Sequence, residues 1–325
     1  MTNQPVAVFT VDVEDYFHVA AMRSAVRSSD WSWYPSRIEA NVDRLLDLLA
    51  RWNVRATWFV LGWEARQHPA VIRRIADAGH EMGCHSMWHR EVDGMSAEEF
   101  RADTADALAA IEDATGCRVD GYRAPSFSIT RNSLWAIDVL IELGMRFDSS
   151  IFPVAHPLYG IEEALPFPHI IRSNTGSIWE LPPASVRFSG RRIGVAGGGY
   201  FRQLPFFFCQ RGIRNLIERE RLPAILYVHP WEFDPEQPRL AVDRLMRFRH
   251  YRNLGSFEAR VTRLLSSLSF VTCGELVGRY ERMPATLKTE IRLPYPTVGR
   301  RERAAKAREA ARAGAKATWE TSSGT

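Results

Sequence analysis

The sequence contains few cysteines and no long apolar run. Its 325 residues include four cysteines, Cys84, Cys117, Cys209 and Cys273, which are far apart and form no C-x-x-C pair. This spacing excludes a zinc-finger layout and a disulfide framework, so we expect reduced thiols. No stretch approaches the roughly 20 apolar residues that a membrane-spanning helix needs. The first residues also lack the basic and apolar regions of an export signal, and we therefore expect a cytoplasmic protein.

The main body of the chain lacks a net charge. The formal excess is four positive charges, and it lies entirely in residues 299–325, which hold seven basic and three acidic residues. A balanced body argues against a nucleic-acid partner, although the sequence pI is about 9.0. We expect the Ala/Arg-rich tail at 299–325 to be disordered or a frayed helix. As an alternative, the basic tail would make peripheral contact with the inner membrane.

Short β-branched runs alternate with helical stretches through residues 1–298. The pattern predicts a strand over 6–13, a helix over 38–52 and a helix over 96–115 that opens with a Ser96/Glu99 capping box. Repeated βα units predict an α/β fold with parallel strands, and their number predicts a barrel. Residues 185–222 interrupt this rhythm with a glycine run and an aromatic cluster. We expect them to be an insertion in a single domain spanning 1–298.

Polar side chains follow several of the predicted strands, at the ends where barrel enzymes place their active sites. A single acid at a strand end is commonly a helix cap or a turn former. The convergence of many such residues predicts a site, and they are Asp12, Glu14, Asp15, His85, His89, Arg123, Glu180 and His229.

Two of these residues have metal-ligand spacing. His85 and His89 are four apart in HSMWH, and on a helical turn both imidazoles would lie on one face. Both nitrogens would then reach one ion at about 2.0–2.1 Å. A carboxylate from Glu14 or Asp15 would complete the two-His, one-carboxylate set of a catalytic metal.

Five segments resemble, in order, the motifs of the NodB-type polysaccharide deacetylases, carbohydrate esterase family 4. They are TVDVED at 10–15, HSMWH at 85–89, RAPSF at 123–127, WELP at 179–182 and LYVHP at 226–230. The resemblance spans 5–235, and DVEDYF and GGGYFRQLP are similar to the subgroup found with bacterial exopolysaccharide and exosortase loci. It implies a distorted (β/α)7 barrel with a C-terminal extension. It also implies hydrolytic N-deacetylation of an acetylated amino sugar, in a polysaccharide or its lipid-linked precursor, by a metal-bound water.

The resemblance implies a role for each matched residue. Asp12 would be the general base, Arg123 the partner that orients it, and His229 the general acid, with His85 and His89 as metal ligands. An amide carbonyl is a poor electrophile and an amine a poor leaving group, so a metal and a proton donor are the chemistry this reaction needs. The ion is expected to be zinc, although cobalt, nickel or iron would suit the same ligands.

Two carboxylates, Glu14 and Asp15, are candidates for the third metal ligand. The adjacent Asp-Asp of the family is replaced here by Asp12-Val13-Glu14-Asp15. Strand alternation places Asp12 and Glu14 on one face, which favours Glu14 over Asp15. The acid that often supports the catalytic histidine is not plainly matched, and Glu180 is a candidate for it.

Aromatic residues near the motifs are candidates for stacking on sugar rings. Those predicted to contact the substrate are Tyr16, Phe127, Trp179 and Trp231, with Trp88 among the others nearby.

Two alternative functions stay open. Relatives of this fold open cyclic amides, as in allantoinase-like hydrolases, some without a metal, and the His85/His89 pair counts against a metal-free version. A catalytically silent carbohydrate-binding scaffold would require a broken motif, and only the Glu14/Asp15 ambiguity points to one.

Overall fold

The computed structural model describes residues 6–156 and 158–293, so the predicted tail at 299–325 lies outside the described residues. Among the helices in these residues, none combines the length and the apolar character needed to cross a membrane.

Strands and helices alternate through most of the described chain. The strands are β1 Ala7–Val13, β2 Thr57–Val60, β3 Glu81–Cys84, β4 Gly121–Tyr122, β5 Phe147–Asp148, β6 His169–Arg172, β7 Ser177–Glu180, β8 Ser185–Phe188, β9 Arg191–Gly194, β10 Ala224–Val228, β11 Phe270–Val271 and β12 Glu290–Arg292. The α-helices are α1 Ile38–Arg51, α2 Gly62–Gln67, α3 Pro69–Asp77, α4 Ala97–Thr115, α5 Ala136–Glu142, α6 Gly199–Gln203, α7 Phe206–Glu218, α8 Arg244–Tyr251, α9 Phe257–Leu265 and α10 Cys273–Glu281. Short 3-10 helices lie at Ala20–Met22, Ser28–Trp33, Val92–Gly94, Pro125–Phe127, Pro230–Phe233, Leu254–Ser256 and Ala285–Leu287.

The sequence patterns place these elements well. The predictions over 6–13, 38–52 and 96–115 each fall within one residue of β1, α1 and α4. The capping box of α4 is confirmed, because the Ser96 hydroxyl accepts from the Glu99 N–H and the Glu99 carboxylate accepts from the Ser96 N–H. The helix ends at Gly116, which adopts the left-handed conformation that glycine favours at this position.

The strands form a mostly parallel sheet, which confirms the α/β class. Seven of them run parallel in the order β10-β1-β2-β3-β4-β5-β7, while β6 pairs antiparallel with β7 and carries β12. A backbone bridge between Pro183 and Ile225 links the chain just after β7 back to β10. The first and last strands of the parallel order, β10 and β7, are thus connected by this single bridge. In a regular closed barrel they would be connected by a continuous row of backbone hydrogen bonds. The single domain over 1–298 stays a prediction.

Side-chain alternation along β1 separates two apolar clusters and positions the site. The odd-numbered residues from 7 to 13 belong to the larger cluster, which also includes the buried faces of the surrounding helices. Val8 belongs to a second cluster with Phe59 of β2 and Ile225 of β10. Because successive strand residues point to opposite faces, Thr10 and Asp12 follow Val8 on that inner face. Asp12 therefore lies at the carboxyl end of β1, on the face that also carries the second apolar cluster.

Residues 185–222 contain the β8–β9 hairpin followed by α6 and α7. This segment is fastened to β10, since Tyr227 N–H donates to Ala196 O at 2.9 Å and Gly198 N–H donates to Tyr227 O at 3.0 Å. The contact requires glycine at position 197, where φ is +140° and a Cβ atom would lie 1.9 Å from Tyr227 O. The predicted insertion thus packs beside β10, the strand that His229 follows.

Candidate active site

A buried ion pair joins Asp12 to Arg123, the residue that follows β4. Arg123 Nη1 donates to Asp12 Oδ1 at 2.8 Å and to Thr10 Oγ1 at 2.6 Å. Its Nη2 donates to Ser149 Oγ at 2.8 Å and its Nε to Ser149 O at 3.2 Å. The guanidinium carbon also lies 4.3 Å from the centroid of the Phe59 ring. These contacts satisfy a cation that is fully buried, and they fix the orientation of the Asp12 carboxylate.

Glu14, His85 and His89 converge on one point. The Nε2 atoms of both histidines lie 3.4 Å from Glu14 Oε1. This separation exceeds the roughly 2.7–3.2 Å of a good N–H···O hydrogen bond. Ligand atoms at about 2.0–2.1 Å around a tetrahedral ion would be ~3.4 Å apart. The three side chains could therefore share a metal ion.

The protonation of His85 supports the same interpretation. Its Nδ1 lies 2.8 Å from the carbonyl oxygen of Arg123, and because a carbonyl only accepts, Nδ1 carries the proton. The Nε2 lone pair then faces Glu14. Both His85 Nε2 and Glu14 Oε2 are buried without a hydrogen-bond partner in the described residues. Orphaned polar atoms of this kind fit a bound cation.

HSMWH has a spacing that would bring its two histidines together on a helical turn, but it does not form a helix. β3 ends at Cys84 and no helix is present at 85–90. The chain instead bends through Ser86 at φ +69° and His89 at φ +50°, a left-handed region that costs roughly 1–2 kcal/mol per non-glycine residue. The bend still brings the two rings together, with 5.4 Å between the centroids of His85 and His89. The side chain of Trp88 is 41% exposed.

The two carboxylates considered for the third ligand point in different directions. Glu14 faces the histidines, whereas both oxygens of Asp15 are engaged elsewhere. Asp15 Oδ2 accepts from Ser36 Oγ at 2.8 Å and from Arg37 N–H at 2.7 Å, and Oδ1 accepts from Tyr16 N–H at 2.9 Å. Asp15 thus holds the chain that enters α1. The structure brings Glu14, and not Asp15, to the two histidines.

His229, directly after β10, is held by a glutamate that the sequence interpretation missed. Its Nδ1 lies 3.0 Å from Glu232 Oε2, and Glu232 Oε1 accepts from Arg202 Nε at 2.7 Å. Its Nε2 faces Glu14 Oε1 at 3.6 Å and Asp12 Oδ2 at 3.9 Å. Burial alone would lower the pKa of His229, but the carboxylates of Glu232, Glu14 and Asp12 raise it to about 9. The imidazole is therefore protonated at neutral pH.

Glu180 does not support His229, which corrects the earlier candidate. Glu180 Oε1 accepts from the Ile151 N–H at 3.1 Å, and burial together with the neighbouring Asp148 carboxylate raises the pKa of Glu180 well above its usual value. The signal that finds Glu232 is its position three residues after His229 in HPWE. That i, i+3 spacing has the form of a capping box, and the Glu232 carboxylate also accepts from the His229 N–H.

The aromatic residues predicted to contact the substrate are all buried, and their contact with substrate stays a prediction. Trp231 stacks between His229, at 5.3 Å between ring centroids, and His250, at 4.3 Å. Trp179 packs against Tyr280 of α10, at 5.5 Å. Their positions after strands were readable from the sequence, but the direction of each ring was not. The exposed fractions of these four residues are 0% for Tyr16, 7% for Phe127, 6% for Trp179 and 2% for Trp231.

Comparisons with known proteins show similarity to deacetylases. Residues 30–147 match the family model described as polysaccharide deacetylase, and residues 149–278 match the one described as domain of unknown function (DUF3473). A peptidoglycan deacetylase of Helicobacter pylori is 32% identical over 115 residues, covering 35% of this chain and 38% of that protein. A chitooligosaccharide deacetylase of Rhizobium leguminosarum bv. trifolii is 33% identical over 97 residues, covering 30% and 42%. The chain thus matches less than half the length of these curated relatives.

A solved structure supports the fold. The crystal structure of a Mycobacterium smegmatis protein assigned as a polysaccharide deacetylase has a TM-score of 0.58 and 21% sequence identity, covering 91% of this chain and 96% of that chain. At this identity the similarity shows a shared fold.

The directions of Glu14 and Asp15 lead to a metal-binding prediction. We expect Glu14→Gln to weaken zinc affinity at least ~100-fold, because loss of an outer-shell partner alone typically costs about 10–100-fold. Asp15→Asn should keep zinc affinity within about threefold of the wild type, because its carboxylate holds the chain entering α1. Calorimetric titration of zinc into chelator-treated protein measures both. A loss of affinity in Asp15→Asn with an unaffected Glu14→Gln would contradict the assignment.

Proposed function

We propose that this chain, whose residues 30–147 are a polysaccharide deacetylase domain of the NodB type (carbohydrate esterase family 4), hydrolyses the N-acetyl group of an acetylated amino sugar. The observation that carries the proposal is the convergence of the Asp12–Arg123 pair, the Glu14/His85/His89 group and His229. Such a site offers a base, a metal position and an acid at once. Each is a requirement for cleaving an unreactive amide.

The proposed substrate is a GlcNAc-type polysaccharide or its lipid-linked precursor. Relatives named as deacetylases of peptidoglycan and of chitooligosaccharides support this class. The DUF3473 match supports the resemblance to deacetylases of exopolysaccharide loci. We place the reaction in the cytoplasm at the inner face of the membrane, where a lipid-linked precursor would be met.

Glu14, His85 and His89 would hold a divalent metal, and zinc is the ion we propose. Two imidazole nitrogens and a carboxylate oxygen suit zinc, and they would also accept cobalt, nickel or iron. Such an ion, when bound, polarises the acetyl carbonyl and lowers the pKa of a water molecule.

Asp12 is the proposed general base. Arg123 binds its Oδ1, which leaves Oδ2 directed toward His229 and the interior of the site. The Oδ2 atom would take one proton from the attacking water. The hydrogen bond from Arg123 holds the Asp12 carboxylate in the orientation that this role needs.

His229 is the proposed general acid. Its imidazolium donates one hydrogen bond to Glu232 through Nδ1, and its Nε2–H faces the interior of the site. That proton would pass to the amino-sugar nitrogen as the carbon–nitrogen bond breaks. The products are acetate and the free amino sugar.

The assignment of Asp12 is tested by acetate release from acetylated chitooligosaccharides. We expect Asp12→Asn to retain bound metal and to lose about 10²–10⁴-fold in turnover, which is the usual contribution of a general base. Asp47→Asn, at an exposed aspartate of α1, is the matched control and should keep full activity. Acetate release that continues undiminished after chelation of metal would contradict the proposal as a whole.

The raised pKa of His229 predicts a shift in the pH profile. The protonated imidazole is the active form, so turnover should fall as the pH rises through its pKa of about 9. Glu232→Gln removes the nearest anion and lowers that pKa, so the alkaline limb of kcat should move to lower pH by about one pH unit or more.

The control for this shift is Glu236→Gln, which changes an exposed glutamate of the same segment and should leave the alkaline limb in place. The profiles are measured as acetate release between neutral and alkaline pH. An alkaline limb that does not move in Glu232→Gln would remove Glu232 from its proposed support of His229.

Trp88 is the aromatic residue that we assign to substrate stacking. It lies between the two histidine ligands, at the bend of HSMWH, and is 41% exposed. Its ring is held by Trp31, with 6.1 Å between centroids and 32° between planes. An exposed indole face beside the reacting centre suits the apolar face of a sugar ring.

We expect Trp88→Ala to raise KM about three- to tenfold with little change in kcat, because stacking contributes to binding and not to proton transfer. Trp52→Ala is a matched control, since Trp52 is also 41% exposed and follows the end of α1. Initial rates on acetylated chitooligosaccharides measure both constants. A fall in kcat at unchanged KM would contradict the stacking role.

A further inference from the structure

The segment 185–222 supplies no proposed base, acid or metal ligand, yet it exposes two phenylalanine side chains. Phe188 at the end of β8 is 54% exposed, and Phe207 in the first turn of α7 is 72% exposed. The two elements meet, because the ring of Phe188 packs edge-on against Phe208 with 5.4 Å between centroids. Phe208 adjoins Phe207 in the chain, so β8 and the first turn of α7, which carry the two exposed rings, lie next to each other. A phenyl ring has no polar atom, and clustered exposed rings indicate a binding surface.

The charge of the same segment is one-sided. Residues 185–217 contain six arginines and no aspartate or glutamate, although the body of the chain is electrically balanced. Arg187 precedes Phe188, and Arg191 pairs with Phe188 across the β8–β9 hairpin. Arg211 and Arg214 follow Phe207 at helical spacings of four and seven, which places them on its face of α7.

These four arginines lack anionic partners within the described residues. Arg187, Arg191, Arg211 and Arg214 are exposed, and no ion pair or side-chain hydrogen bond forms from them in the ranges 6–156 and 158–293. Some surface arginines are paired, as Arg74 is with two carboxylates, whereas these four are not in the described part of the chain. The exposed rings are thus surrounded by cations free to bind an external anion.

We propose that Phe188 and Phe207, with Arg187, Arg191, Arg211 and Arg214, form a patch that docks on an anionic lipid membrane. In this hairpin–helix patch the guanidinium groups would bind lipid phosphates, while the rings insert at the boundary of headgroups and acyl chains. The half-buried Leu204 and Phe206 extend the apolar area beside the rings. That extra hydrocarbon suits an acyl boundary better than the base of a nucleic acid.

Docking through this patch would hold the catalytic strand near the bilayer. The segment is fastened to Tyr227, two residues before His229, by hydrogen bonds on both sides of the Tyr227 residue. This consequence rests on the proposed function, because it matters only if the substrate is lipid-linked. The binding assay below measures no activity, so its failure would leave the proposed function untouched.

The test is co-sedimentation of the full chain with vesicles. We expect binding to an equal mixture of phosphatidylcholine and phosphatidylglycerol and weaker binding to phosphatidylcholine alone. Phe188→Ser with Phe207→Ser should lower the partition coefficient on the order of tenfold. Arg187→Gln with Arg191→Gln should cause a loss of similar size and a shallower dependence on salt.

The control pair is Trp33→Ser with Trp52→Ser, which removes two rings of comparable exposure elsewhere and should leave vesicle binding unchanged. All variants keep residues 299–325, so any contribution of the tail is constant, and circular dichroism verifies that each variant folds. Unchanged vesicle binding in the phenylalanine variant would overturn the proposal. So would a loss confined to Leu245→Ser with Phe248→Ser on α8, or binding of a single-stranded oligonucleotide in place of vesicles.

Discussion

The buried guanidinium of Arg123 is the contact on which the proposed base and the metal position both depend. Its side chain binds Asp12 and Thr10 of β1 and Ser149 after β5, so it connects β1 to the chain that follows β5. Its carbonyl oxygen fixes the proton of His85 on Nδ1. A buried charge is tolerated only with a nearly full set of partners, and here each of those partners is an element of the site. The position of Arg123 is therefore fixed both by its need for partners in the buried interior and by its role in orienting the site residues.

A second chain of charges, from Arg202 through Glu232 to His229, approaches the site from the opposite side. Glu232 is fully buried, and although burial would raise its pKa, Arg202 and His229 lower it. The ionised Glu232 in turn favours the imidazolium of His229. Arg202 lies in α6, within the segment 185–222, and it also donates to the carbonyl oxygens of Arg249 and His250. Arg202 of this segment thus supports the proposed acid His229 through Glu232, as Arg123 after β4 supports the proposed base Asp12.

Much of this arrangement could be predicted from the sequence, because it follows from periodicity. Buried strands ending in polar residues located Asp12, Glu14, His85, Arg123 and His229, and alternation along β1 favoured Glu14 over Asp15. What could not be predicted depends on backbone conformations that have no periodic signature. The spacing of His85 and His89 fits a helix, but the chain reaches the same convergence through two left-handed residues. Trp179 and Trp231 follow strands as substrate-binding aromatics would, yet each packs against a residue far along the chain, Tyr280 and His250.

Four of the eight non-glycine residues with positive φ in the described part of the chain lie in two loops of the site. Besides Ser86 and His89, Ser126 and Phe127 have φ near +54° and +53°, directly after the Arg123 motif. Strain of roughly 1–3 kcal/mol at each such residue persists only where surrounding contacts over-determine the backbone. Phe127 is held in this way by Tyr227, at 4.9 Å between ring centroids, and Tyr227 is in turn hydrogen-bonded to the segment 185–222. Tyr227 therefore connects the loop that follows Arg123, the strand β10 that precedes His229 and the segment 185–222.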